Sequence, residues 1–278
     1  MIVDTHVHVL SDDIVKYSRP GKGPSEQPQW PDFTGEMLVQ AMDESGIDRA
    51  LTVQAYHTYR FDNSYAIDVA LKHPKRFQSV VVIDQRLPDA PDLLSDLVEN
   101  HGVRGLRMMK VRDKIYGDPQ TFPLWERIRS LKIPVCLNKA DTPQIPEIQA
   151  MLERFPEVQV ALDHSWAGPL DREDPPYSFF KPMMELARYP NLFLKIAPNI
   201  TYDMIDRKGD PKRFWSMAVE HFGANRLMWG SNYPAHWHLY GKPKERLAIM
   251  RKDLDFLSME DQRWIFGESA LRLWPTLR

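Results

Sequence analysis

The sequence predicts one α/β domain over residues 1–278, folded as a (β/α)8 TIM barrel of eight parallel strands. Three observations predict it. Short β-branched runs alternate with amphipathic stretches from end to end, the pattern of βα units around a parallel sheet. Eight such runs fit within about 250 residues, the usual extent of this barrel. The turn after the first strand has no glycine, whereas a doubly wound nucleotide-binding sheet opens on a glycine-rich turn.

The first strand, residues 2–8, is apolar and carries His6 and His8. The stretch 18–32 that follows has four prolines and two glycines, and it reads as a lid or rim loop on the C-terminal face of the barrel. Thr34 then caps a helix that Gly46 ends. The second and third strands are residues 50–54 and 77–83, and a helix over 88–100 leads to the fourth at 103–108. Helices at 123–131 and 144–155 flank the fifth strand, 134–138, and precede the sixth, 158–163. A second insertion at 171–182 leads to the seventh strand, 192–196, and the eighth at 226–230. Ser258, followed by Glu260 and Asp261, starts a last helix over 259–266. Trp125, Trp215, Trp264 and Trp274 fall in helical patterns, where they pack against the barrel.

Composition narrows the function. The chain is 43% hydrophobic and 27% charged with a formal charge of −2 and no basic block, which argues against a nucleic-acid partner. One cysteine, Cys136, excludes a disulfide framework and a cysteine-rich zinc module, and it reads as a small buried hydrophobe. No apolar run reaches the ~18 residues of a membrane span. With the first strand opening at Ile2, no signal peptide is expected, and the expected location is the cytoplasm.

Side chains alternate across a strand, so His6 and His8 project from one face, as half of a divalent-metal site would. In a barrel the C-terminal strand ends converge, which gathers this pair with Asn138 and Lys139 after strand five, His164 after strand six and Asn232 after strand eight. Arg104 and Arg107 fall on opposite faces of strand four, so one of them enters the barrel. Arg107, nearer the active end, offers a forked permanent charge for a carboxylate. Lys139, Tyr56, His57 and Trp166 sit on strand-end loops where they can complete an anion- and ring-binding pocket. Trp237, between His236 and His238, lines or gates it.

The stretches Asp4-Thr-His-Val-His8, Val103-Arg-Gly-Leu-Arg107, Leu162-Asp-His-Ser165, Arg226-Leu-Met-Trp-Gly-Ser-Asn-Tyr-Pro234 and Gly267-Glu-Ser-Ala-Leu-Arg-Leu-Trp274 carry a resemblance. In this order they resemble the amidohydrolase superfamily, in its "amidohydrolase 2" branch of metal-dependent hydrolases, lactonases and decarboxylases. The resemblance covers the whole chain and implies the same barrel. It implies His6, His8 and His164 as metal ligands, with Zn or Mn as the metal. Two positions depart from the family. Asn138 stands where a histidine is frequent, and Asn232 stands where the family has an aspartate that ligates metal and serves as general base. Three readings of Asn232 stand open: a weakly held ion or none, a water activated by His164 or His6 instead, or an engineered change. The cofactor expectation is therefore a divalent metal that is weakly bound or absent.

The expected function is hydrolysis of a small carboxylated ring compound, a lactone from aromatic or sugar-acid breakdown. Water adds to its carbonyl with the aid of His6, His8, His164 and Asn232, and Arg107 anchors the carboxylate. The alternatives are a non-oxidative decarboxylase of the same branch and a catalytically inactive barrel that binds a metabolite. Barrels of this kind often form dimers, so the expectation extends to a homodimer.

Overall fold

The computed structural model describes residues 1–20, 30–109, 116–138, 144–165, 180–198 and 211–278. Eight strands, β1 (Val3–Val7), β2 (Arg49–Val53), β3 (Phe77–Val81), β4 (Gly105–Met108), β5 (Val135–Leu137), β6 (Val160–Leu162), β7 (Leu192–Ile196) and β8 (Leu227–Trp229), follow one another in a single sheet. Each pairs in parallel with the next. The ring closes above β1 and β8, where Val7 bridges Tyr233, the His8 amide donates to the Tyr233 carbonyl at 2.8 Å, and the Thr5 hydroxyl donates to the Trp229 carbonyl at 2.7 Å. This is the expected (β/α)8 barrel.

Alternation along the strands divides the apolar residues into two shells. Leu51, Val53, Val80, Cys136, Ala161, Phe193 and Met228 fill the interior with the C-terminal residues Leu271, Leu273, Trp274 and Leu277. Those C-terminal residues plug the N-terminal end of the barrel, where the Trp274 indole donates to the Arg104 carbonyl at 2.9 Å. The outward residues, among them Leu106, Val135, Leu162, Leu194 and Trp229, pack under the helices. Thr34 caps the helix Gly35–Ser45 by accepting from the Met37 amide, and Gly46 ends it at φ 70°. Ser258 caps the helix Met259–Arg263, which runs on through a π-helical turn at Trp264–Glu268.

Six of the strands end earlier than the sequence predicts, while β4 and β7 end at the predicted residues Met108 and Ile196. His8, Gln54, Asn138, Asp163 and Gly230 all lie just past the paired residues. The side chains of the first four are thereby released from the ladder at the end of the barrel where the site forms. Among the described residues, no helix is long and apolar enough to cross a membrane.

Candidate active site

The inward aim of His6 and His8 depends on a bulge. Val3 faces the interior, so plain alternation would turn Thr5 and Val7 inward and both histidines outward. Between Asp4 and Val7, however, β1 advances three residues while β2 advances two, from Ala50 to Thr52. The extra residue flips the register, so Val7 and Val9 join the outer shell. Asp4 stabilises the bulge from within, its Oδ1 accepting from the amides of His6 (3.0 Å) and Ser231 (2.8 Å). Burial pushes the Asp4 carboxyl up to about 6. Gly230 passes so close that a Cβ there would lie 2.8 Å from the His6 Cβ.

His6 and His8 stand edge to face, ring centroids 4.9 Å apart, and His164 lies 4.4 Å from His6. The structure therefore gathers the three histidines expected to converge. His164 arrives through a break in regular structure: β6 ends at Leu162 and His164 takes the left-handed conformation, φ 61°. Asn232 also has positive φ, 55°, a conformation that asparagine tolerates better than most residues, and its amide donates to the His6 carbonyl at 2.7 Å. His8 Nδ1 is 2.8 Å from the Val53 carbonyl, which makes it the protonated nitrogen and leaves Nε2 as the acceptor. Burial holds His8 well below the ordinary histidine range, and the Arg107 charge adds to the effect. Burial likewise holds His6 neutral against the pull of Asp163.

The opposite wall is ionic. Arg107 enters the barrel from β4, as alternation requires, and is 4% exposed. Its Nε donates to Asp163 Oδ2 at 2.7 Å, and one terminal nitrogen, Nη2, donates to Asn138 Oδ1 at 2.7 Å and lies 3.3 Å from His164 Nε2. A guanidinium only donates, so His164 Nε2 is the acceptor in that contact. Asp163 Oδ1 lies 3.1 Å from the Lys195 ammonium and 3.4 Å from His6 Nδ1, a charge contact longer than a good hydrogen bond. Burial opposes ionisation of Asp163, yet the charges of Lys195, His6 and Arg107 outweigh it and hold the carboxyl well below its usual range. Both ring nitrogens of His6 are buried and have no hydrogen-bond partner among the described residues.

Asp163 and Lys195 are the participants that the strand-end reading omits. Asp163 precedes His164 in the quoted motif, but it reads there as the last strand residue. Lys195 sits in a strand whose neighbours are all apolar, and its inward parity is the one sequence signal available. The donor atoms of His6, Asp163 and His164 lie within 4.8 Å of one another, near enough for one metal ion. In that group Asp163 takes the place expected of His8, because the turn after β6 brings its carboxylate under His6.

The remaining expected residues are spread around the mouth. Tyr56 packs on Phe61 and Arg60 at the rim, and His57 beside it is exposed. Trp237 is 40% exposed on the short helix Trp237–Tyr240. Lys139 and Trp166 lie outside the described residues, as do most of the insertions expected to form rim or lid. At the end of the first insertion Trp30 is 7% exposed and stacks on His8, ring centroids 5.1 Å apart.

The chain matches the family model described as amidohydrolase over residues 3–276. It is 27% identical to the L-fucono-1,5-lactonase of Burkholderia ambifaria, over 98% of this chain and 94% of that protein. Its fold superposes on a putative 2-pyrone-4,6-dicarboxylic acid hydrolase of Pseudomonas putida with TM-score 0.79 and 19% identity, covering 99% and 97% of the two chains. An amidohydrolase of Burkholderia multivorans with bound zinc superposes with TM-score 0.78 and 18% identity, covering 99% of each chain.

Proposed function

The chain belongs to the amidohydrolase family, and from that premise we propose that it opens a small carboxylated lactone by adding water to the ring carbonyl. The observation that carries this reading is the buried cluster of Arg107, Lys195 and Asp163 beside a neutral His6. Two permanent cations face one carboxylate, so the cluster holds one net positive charge in a low-dielectric interior. Such a charge favours an anionic ligand and an anionic transition state.

Members of this family commonly bind a divalent metal, and the three donors of this chain are near enough for one. The surrounding charge fits a cation poorly. Asp163 is already held by Arg107 and Lys195, the His164 Nε2 lone pair faces an Arg107 N–H, and Asn232, at the position where the family has an aspartate, carries no charge. We therefore derive no step through a metal.

The chemistry falls to the chain's own groups. Arg107 binds the substrate carboxylate, in keeping with its forked donors. His6, its Nδ1 turned to Asp163, takes a proton from water at Nε2, as a carboxylate-oriented imidazole does in other hydrolases. The water oxygen bonds to the carbonyl carbon, and the cluster's net charge stabilises the oxyanion. The ring C–O bond then breaks, and the departing oxygen recovers the proton from His6 to leave a hydroxy acid. A lactone suits this machinery because its leaving oxygen is better than an amide nitrogen.

The test is a panel of five- and six-membered lactones with and without a ring carboxylate, followed by acid release and by carbon dioxide. Ring opening that favours the carboxylated members by about tenfold or more, a difference of ~1.4 kcal/mol, supports the reading. Carbon dioxide release from aromatic acids, or tight binding without turnover, overturns it.

A further inference from the structure

We propose that Lys195 is a positioning residue: it fixes the carboxylate of Asp163 so that one oxygen serves Arg107 and the other faces His6. The kinetic half of this inference rests on the lactone reading above.

Lys195 is 1% exposed on β7, between outward-facing Leu194 and Ile196, and points into the barrel. A lysine inside a barrel carries a large desolvation penalty unless its charge is paired. Its ammonium lies 3.1 Å from Asp163 Oδ1 and donates to Cys136 Sγ at 3.2 Å. It also lies 5.7 Å from the centre of the Trp274 ring. Trp274 belongs to the plug at the N-terminal end of the barrel. Lys195 is thus held between that plug and Asp163, on the side of the carboxylate away from the mouth. From there it reaches the reaction through Asp163.

The carboxylate divides its oxygens: Oδ2 takes the Arg107 Nε–H and Oδ1 takes Lys195 and faces His6. Without the ammonium, nothing among these contacts holds Oδ1 with a full charge, and the carboxylate can rotate, which loosens the Arg107 Nε–H bond to Oδ2. Two consequences follow from geometry and charge. Arg107 would lose its fixed partner at Nε, while Asn138 still holds Nη2 and the guanidinium charge stays available to the substrate. His6 would lose the oriented oxygen opposite Nδ1.

Lys195→Met and Lys195→Gln remove the charge at similar size, and Lys195→Arg keeps it. Kinetically, the neutral variants should lower kcat about 10- to 100-fold, the scale of a small misplacement of reacting groups, while KM moves less than about threefold. Lys195→Arg should recover most of that loss. In an Asp163→Asn background, Lys195→Met should add less than about threefold, because both changes break one unit. Losses that multiply, or no rescue by arginine, overturn the proposal. The second measurement needs no substrate: hydrogen exchange at the Arg107 Nε–H, followed by nitrogen-15 NMR. That proton should exchange at least about tenfold faster in the neutral variants than in the wild type or Lys195→Arg. Equal exchange in all forms overturns the proposal. A wild type that opens no lactone overturns the lactone reading alone, and the exchange measurement still decides the role of Lys195.

Discussion

The two walls of the site are built on different physics. On the β1–β8 side, backbone holds the chemistry: a bulge, a close glycine, the Asp4 carboxylate on two amides, and the Val53 carbonyl on His8. Its histidines are neutral. On the β4–β7 side, side-chain charge does the holding, through Arg107, Asp163 and Lys195. The difference teaches where each kind of precision comes from. Backbone hydrogen bonds set the direction of the neutral acceptor groups, and an unbalanced ionic cluster supplies the field in which an oxyanion is favoured. It also separates two classes of variant: changes at the histidines of the first wall should damage proton transfer, and changes at Arg107 on the second should damage recognition of charge.

The largest effect is expected at the contact between the walls. His6→Gln should lower kcat by about 10²–10⁴, the usual worth of a general base, with the fold retained. Steady-state kinetics beside a thermal melt check this, and near-normal turnover would detach His6 from proton transfer. Next in size, Arg107→Met should raise KM about ten- to a hundredfold for a carboxylated lactone, as loss of a charge-assisted contact worth roughly 1.5–3 kcal/mol implies. An uncharged analogue should be affected much less. Equal effects on both substrates would erase the contrast between the walls. Asn232→Asp puts a carboxylate on the residue whose amide donates to the His6 carbonyl, and it should slow the carboxylated substrate several-fold by repulsion within the low-dielectric site. Faster turnover would show that the family's aspartate chemistry is still latent in this chain.

Two smaller effects test the neutral wall alone. Gly230→Ala would bring a Cβ to 2.8 Å from the His6 Cβ, so it should destabilise the fold by about 1–3 kcal/mol and displace His6. Denaturant unfolding measures the first effect and kcat the second. Burial depresses the His6 pKa below the ordinary 6.5, so the unprotonated base survives into mild acid. The acid limb of kcat/KM should therefore lie below pH 6.5, and a limb above that value would mean that His6 is not held neutral.

The fold was legible because eight periodic runs need no long-range information, and the caps at Thr34, Gly46 and Ser258 formed where their residue types favour them. The pair His6 and His8 was legible by spacing as sharing one face. Which face it shared was not, because the bulge that turns them inward is created by Asp4 meeting Ser231 from the far end of the chain. Arg107 was legible because parity lets at most one of Arg104 and Arg107 face inward, and Arg107 is nearer the active end. Asp163 and Lys195 were not, since a charged residue at a strand end or within an apolar strand reveals its partner only when the barrel closes. The early strand ends share this cause: pairing stops where the chain turns out of the ladder, and propensity does not mark that point.

On the proposed mechanism, buried cations on the β4–β7 wall, and no metal ion, provide the positive charge for the reaction. The direct measurement is kcat/KM for a carboxylated lactone before and after exhaustive chelation, with the metal content of the same samples determined. A metal-free enzyme whose kcat/KM stays within about twofold of the untreated value is the expected result. Activity that disappears on chelation and returns with zinc or manganese would contradict it.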